Sequence, residues 1–413
     1  MSHLDALDDA RTAFLNCCAA TTFPGDIHAV TFQPTPNRVN EDRYVVQEWD
    51  DISGRPWVFL AVLDGHGGTH TAEYAQNNLP GFIRAALRTR VAGLDANSLD
   101  PDVISELLSS QVKNFDDSIG RAVVSRCPKP EALADIQAQA LIEGPDAEVF
   151  RRANSGTTLV AALIDGTKNH LWVVGLGDSS VVLSTISQSG IRRGERLLTL
   201  HNPSTPSEYA RIKLEHPSQE QNIMKNDRVL GVLSVTRALG DFSFKLSSEF
   251  SRCIFTRIPS RFPGFPIHNV TDDNHTPPYI SSTSEVRYIN LAQLKSKRPI
   301  LLLYTDGVNN IIDGRFVFRR QNPCIREPAE VMGMLLGDKL DHEFMQDVFE
   351  HKVELEWNGP RSASNLAAEL LGNVLGGTNA SRLMQVLTPE LLGDDEEDSF
   401  YIDDTTIITC PLA

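Results

Sequence analysis

The sequence predicts one large α+β sandwich domain. Three features carry that expectation: short apolar runs bounded by turn residues in the first third, a strand-dense middle, and a closing strand after two long helical stretches. Strands with helices between them and a final strand returning to the sheet form an α+β pattern. No Pro/Gly/Ser-rich linker interrupts the 413 residues. The expected organisation is therefore an N-terminal segment, 1–22, and a single domain, 23–413, carrying insertions at about 121–153 and 251–279.

The elements follow in order. Residues 57–63 (WVFLAVL), bounded by Pro56 and by Asp64-Gly65, read as a buried strand. Thr69 to Arg90 reads as a helix, with Ala72, Ala75, Leu79, Ile83, Ala86 and Leu87 at helical spacing. A second helix is expected over Asp102 to Ile119, behind the start signal Pro101. Residues 121–153 are polar and Ala-rich with a break at Pro128-Lys129-Pro130, and read as a helical or loose insertion. Strands at 157–164, 170–175 and 179–184, separated by Asp165-Gly166 and Gly175–Asp178, predict an antiparallel meander. A helix over 206–215 starts at Pro206. The stretch 251–279, rich in Pro, Arg and aromatic residues and without periodicity, reads as a long loop. Strands at 284–289 and 299–305, helices across 328–351 and 362–387, and a strand at 405–410 complete the chain.

Composition excludes some functions. Acidic residues outnumber basic ones, 54 to 38, for a net charge of −16. Such a field repels nucleic acid and anionic lipid, while leaving room for a local cationic pocket. No window approaches the roughly 18 apolar residues of a membrane span. Residues 1–10 carry Asp5, Asp8 and Asp9 and lack an apolar core, so they resemble neither a secretory signal nor an Arg-rich presequence. The default compartment on this reading is the cytoplasm. The six cysteines show no CxxC spacing and read as reduced intracellular thiols, with the Cys17-Cys18 pair incidental.

Carboxylates recur where apolar strands meet turns. Glu41-Asp42 precedes a strand at 44–46, Asp64-Gly65-His66-Gly67-Gly68 follows 58–63, Asp306-Gly307 follows 300–304, and Asp403-Asp404 precedes 405–409. Any one Asp-Gly is most simply a turn. Four together can aim oxygens at one point from rigid strand ends, which suits hard divalent cations such as Mg2+ or Mn2+. His66, flanked by glycines, can approach a ligand closely.

These residues resemble the metal-dependent serine/threonine phosphatases of type 2C. The similar stretches run in the family's order: NEDRYVV (40–46), VFLAVLDGHGG (58–68), SGTTLVAALI (155–164), LWVVGLGDSSVVL (171–183) and LLTLHNP (197–203). They continue with RVLGVLSVTRALGDFSFK (228–245), LLLYTDGV (301–308) and DDTTIIT (403–409). Within the family, 208–217 (EYARIKLEHP) and 276–286 (TPPYISSTSEV) are most similar to the mitochondrial branch that dephosphorylates pyruvate dehydrogenase, which admits a mitochondrial location.

The resemblance implies a four-layer α-β-β-α sandwich of two antiparallel sheets with two Mg2+ or Mn2+ ions in the cleft between them. It implies that Asp64 bridges both ions and the Gly65 carbonyl binds one. Asp306 and Asp403 hold the other, and Glu41 acts directly or through water. It implies Asp42 as an orienter of water, a third and weaker ion shared by Asp178 and Asp306, and His66 as general acid. The implied reaction is hydrolysis of phosphoserine or phosphothreonine in a protein substrate by a metal-bridging hydroxide, without a phosphoenzyme. Three departures touch substrate grip: Asn37 stands where many members carry Arg, Ser180 replaces the Arg of GDSR, and Leu200 replaces an Asp before His201. Arg38 and Arg43 are the remaining candidates for holding the phosphate dianion. The rival reading is a pseudophosphatase, the same fold with an impaired centre acting as a regulatory binding module. The acidic run 394–398 reads as a solvated loop.

Overall fold

A computed structural model describes residues 3–35, 37–52, 56–93, 99–259, 267–314, 317–318, 324, 326–349, 365–377, 379–387 and 402–412. The acidic run 394–398 lies outside them. In chain order the first elements are α1 (His3–Asn16), β1 (Cys18–Phe23), β2 (Ile27–Phe32), β3 (Arg43–Trp49), β4 (Trp57–Leu63), β5 (Gly65–His66), α2 (His70–Val91) and α3 (Pro101–Arg126). Next come α4 (Asp135–Glu143), α5 (Ala147–Asn154), β6 (Gly156–Thr157), β7 (Leu159–Ile164), β8 (His170–Leu176), β9 (Ser180–Ile186) and β10 (Arg192–Arg196). Then follow α6 (Pro206–Glu215), β11 (Met224–Lys225), β12 (Arg228–Val229), β13 (Leu239–Gly240), α7 (Phe242–Lys245), α8 (Ser248–Cys253), α9 (Ile267–Asp273) and β14 (Glu285–Asn290). The last are β15 (Ile300–Tyr304), α10 (Gly307–Asp313), α11 (Pro328–Leu335), α12 (His342–Phe349), α13 (Leu366–Leu375), α14 (Ala380–Leu387) and β16 (Thr405–Pro411).

Two antiparallel sheets form the centre, in the orders β14-β8-β7-β4-β3 and β1-β2-β16-β15-β9-β10. The two-residue period of a strand explains how they stack. In β4, Leu60 and Val62 face the second sheet, while Phe59, Ala61 and Leu63 face α2 and α3. In β15, Leu301 and Leu303 enter the same inter-sheet core, while Leu302 and Tyr304 pack under α10, α11 and α13. Both strands are thus apolar on both faces, and the layers run helix, sheet, sheet, helix. This is the expected α+β sandwich.

Local differences from the sequence reading have physical causes. The stretch 251–279 is not simply a loop: α8 ends within it and α9 lies in it, the tail of α8 and the following turn burying Ile254 and Phe255. Its prolines and arginines mask that packing in the sequence. The expected helix at 328–351 is two helices, and that at 362–387 is broken at Gly376-Gly377, where Gly377 has φ 57°. Residues 121–126 complete α3, and α4 and α5 occupy most of 135–154. The boundary drawn at residue 22 runs through β1, which pairs with β2 from Cys18 opposite Phe32 to Phe23 opposite Ile27. The six cysteines are free thiols. No described helix is long and apolar enough to cross a membrane.

Candidate metal centre

One end of the sandwich gathers the strand-end carboxylates. β4 delivers Asp64, the β8–β9 turn delivers Asp178, and β15 delivers Asp306. One carboxylate oxygen from each lies within 4.8 Å of the others. The same end receives Glu41 and Asp42 from the chain entering β3, and Asp403 from the chain entering β16.

Backbone contacts fix these groups. The Asp64 carbonyl accepts the Thr158 N–H at 2.9 Å and the Thr157 hydroxyl at 3.0 Å. Gly65 passes so close to Glu41 that a Cβ would stand 2.4 Å from the Glu41 carbonyl oxygen, so only glycine fits. Asp178 follows Gly177, whose φ of +107° opens the tight turn. His201 clamps that turn, donating its N–H to the Gly177 carbonyl at 2.8 Å and accepting the Gly177 N–H on Nδ1 at 3.2 Å. Asp404 organises the opposite side: it accepts the Glu41 N–H at 2.7 Å and the Gln33 amide at 2.6 Å. Asp42 accepts the Thr305 hydroxyl at 2.9 Å. Its other oxygen is buried without a hydrogen bond of normal length, Thr406 offering only a weaker contact.

The electrostatics of this end are those of a cation site. Burial raises Asp64 well above the usual carboxylate range, and the charges of Asp306, Asp42, Asp403 and Asp178 raise it further. Asp306 is raised in the same way, by burial first and then by Asp178, Asp403 and Asp42. Burial pushes Asp178 up to about 6. Crowded carboxylates disfavour one another's charge unless a cation stands between them. All the donors are hard oxygens, and one buried Asp42 oxygen has no full partner, so the residues fit divalent ions of the Mg2+ or Mn2+ type.

The two arginines separate. Arg43 donates to the Asn40 and Asp42 carbonyls at 2.8 and 2.7 Å and to Glu73 on α2 at 2.5 Å. Arg38 stands at the cluster, donating to the Ile402 carbonyl and to Asp403, both at 3.2 Å. His66 is partly exposed, and its Nε2 lies 2.8 Å from Asp241 Oδ2. Burial opposes the imidazolium, but Asp241, with Asp178 and Glu41 behind it, outweighs burial and raises His66 above its usual range. The sequence gives no role to Asp241 or His201, and places Asp404 among the strand-end acids only beside Asp403. His201 stands in LTLHNP and Asp241 in RALGDFSFK, but nothing local says what either touches.

Comparison with known proteins agrees with this architecture. The family model for protein phosphatase 2C matches residues 40–317. The human mitochondrial protein named pyruvate dehydrogenase (acetyl-transferring) phosphatase 1 is 30% identical over 287 residues, covering 66% of this chain and 51% of that one. Human phosphatase 2 of the same name is 34% identical over 261 residues, covering 62% of this chain and 47% of its own. The chain therefore spans about half the length of the curated relatives it matches. A crystal structure of serine-threonine phosphatase 2C from Toxoplasma gondii superposes with a TM-score of 0.51 at 16% identity, covering 95% of this chain and 98% of that one.

Proposed function

The chain belongs to the protein phosphatase 2C family, and from that premise we propose that it hydrolyses phosphoserine or phosphothreonine in a protein substrate with the help of divalent cations. The observation that carries this reading is the meeting of Asp64, Asp178 and Asp306 within 4.8 Å at one end of the sandwich. Asp64, the Gly65 carbonyl, Asp306, Asp403 and Glu41 would hold two Mg2+ or Mn2+ ions, and Asp178 with Asp306 a third. Bound there, such ions lower the pKa of water and neutralise phosphoryl oxygens.

The chain's own groups do the rest. Arg38 is the arginine suited to a phosphate, because its guanidinium already lies against Asp403 while Arg43 is taken up by Glu73 and two carbonyls. Asp42 offers a buried oxygen able to orient water. His66 donates the proton that a serine or threonine alkoxide needs on leaving, an effect worth about 10²–10⁴-fold. Similarity to phosphatases named for pyruvate dehydrogenase, together with the stretches 208–217 and 276–286, favours a phosphorylated enzyme of that class as substrate and a mitochondrial location.

Turnover of a phosphothreonine peptide is the test. Wild type with Mg2+ or Mn2+ should release phosphate, and Asp64→Asn should lose about 10³-fold or more, since several kcal/mol of charge stabilisation goes with the metal. Near wild-type turnover in Asp64→Asn would sink the assignment. A wild type that binds metal and peptide without turnover would point to the regulatory binding module instead.

A further inference from the structure

His66 is backed by a carboxylate outside the metal cluster. β6 pairs on one side with β5 and on the other with β13, so Gly156 stands opposite both His66 and Gly240. This three-stranded patch carries His66 and Asp241 to the two sides of Gly156. A Cβ on Gly156 would come within 2.2 Å of both His66 Nε2 and Asp241 Oδ2, so a side chain there would displace the pair.

Asp241 is itself held. It is 3% exposed and adopts φ 53°, a left-handed conformation that L residues rarely take. Its N–H donates to the Ser155 carbonyl at 3.0 Å. The preceding Gly240, at φ +78°, donates its N–H to Asp116 Oδ1 at 2.8 Å. Asp116 Oδ2 accepts Lys245 Nζ at 2.7 Å, and Lys245 also reaches the Ala238 carbonyl at 2.7 Å. Strain held in place by a buried ion pair belongs where a side chain must point one way.

We propose that Asp241 is a positioning residue for His66. It accepts the Nε2–H, fixes the ring's rotation and tautomer, and leaves Nδ1 as the nitrogen through which a proton passes. In the step hydroxide forms a new bond to phosphorus as the bond to the leaving oxygen breaks, and the electron pair of the broken bond goes to the leaving oxygen. That oxygen takes the proton from Nδ1, and a neutral imidazole stays hydrogen-bonded to Asp241. The proposal rests on the phosphatase reading and on His66 as its acid.

The test compares wild type, Asp241→Asn, Gly156→Ala, His66→Ala and the double variant His66→Ala/Asp241→Asn with Mn2+. The substrates are a phosphothreonine peptide and p-nitrophenyl phosphate, whose leaving group needs no proton. Asp241→Asn and Gly156→Ala should each lose about 10²-fold in kcat on the peptide, with KM little changed, and far less on the aryl phosphate. The double variant should fall no lower than His66→Ala alone, because the two groups act as one unit. Equal losses on the two substrates, or additive losses in the double variant, would overturn the proposal. Imidazole 15N shifts of the wild-type protein give a readout independent of turnover and of variant folding. Recorded at a pH high enough to leave a single ring proton on His66, the shifts should place that proton on Nε2, and a proton on Nδ1 overturns the pairing. If wild type turns over neither substrate, the phosphatase reading falls while the ring shifts still decide the contact.

Discussion

Asp64 and Glu208 are both carboxylates withdrawn from water, and the protein pushes them in opposite directions. Burial raises Asp64, and four neighbouring carboxylates raise it further. Burial also opposes the Glu208 charge, but hydrogen bonds from Arg237, Arg211 and Thr236 outweigh it and hold Glu208 far below its usual range. Glu208 receives Arg237 as a two-pronged fork, Nη2 at 2.5 Å and Nε at 3.0 Å, with Arg211 Nη2 at 2.8 Å and the Thr236 hydroxyl at 2.6 Å. Both are carboxylates whose charge is penalised by burial, so the neighbours decide the sign. A finished structural network surrounds its acid with donors. The ion site proposed above surrounds its acid with other acids. The two are also connected, since the Thr236 N–H donates to the His201 carbonyl and His201 clamps the turn before Asp178.

The contrast breaks first at the metal end. Removing one acid from the cluster should abolish function without unfolding the chain. Asp306→Asn is expected to cost about 10³-fold or more in phosphopeptide turnover. Its metal-free melting temperature should equal or exceed that of wild type, since a like charge has gone, and added Mg2+ should raise the melting temperature of wild type alone. Equal Mg2+ shifts in the two proteins would dissolve the distinction.

At Glu208 the effect should be on stability. Glu208→Gln removes the charge facing two arginines, and breaking a buried pair of this kind costs about 3 kcal/mol, measured by urea unfolding at neutral pH. The pH dependence has a definite sign. A depressed acid stabilises the fold above its unfolded value of about 4.3, and that contribution fades as pH falls towards the lower folded value. The gap between wild type and Glu208→Gln should therefore narrow below about pH 4. A constant gap from pH 7 to pH 3 would argue against the ion pairs as its cause.

An exposed pair supplies the lower bound. Lys113 Nζ lies 2.9 Å from Asp117 one helical turn along α3, with both side chains more than a third exposed. Lys113→Ala should change stability by no more than about 0.5 kcal/mol, and 1 M salt should erase the change. A larger, salt-resistant loss would mean that exposure is a poor divider between these classes.

Much of the metal end was legible from local pattern. The run WVFLAVL and its Asp-Gly ending identify β4 and Asp64, because a doubly buried strand must be apolar throughout and must stop at a turn. Asp306 and Asp403 follow from the same logic in LLLYTDG and DDTTIIT. The N-terminal hairpin was missed because CAATTF forms an edge strand with four exposed residues and no alternation. Between Arg38 and Arg43 the sequence offered no choice. Glu73, 30 residues beyond Arg43, takes it away, while chain around residue 403 draws Arg38 in.

The sequence by itself determined the long buried strands such as β4, β7, β8, β15 and β16, which of their ends carry acids, and that those acids suit hard cations. These are local properties, set by side-chain period, turn chemistry and donor type. Only the tertiary structure decided which acids share one field, since Asp64, Asp178 and Asp306 meet by the stacking of two sheets. It alone set His66 against Asp241 across Gly156, residues 175 positions apart joined by strands of two residues each. So short a strand leaves no periodic trace in a sequence, and what a carboxylate faces depends on chain that folds back from far away.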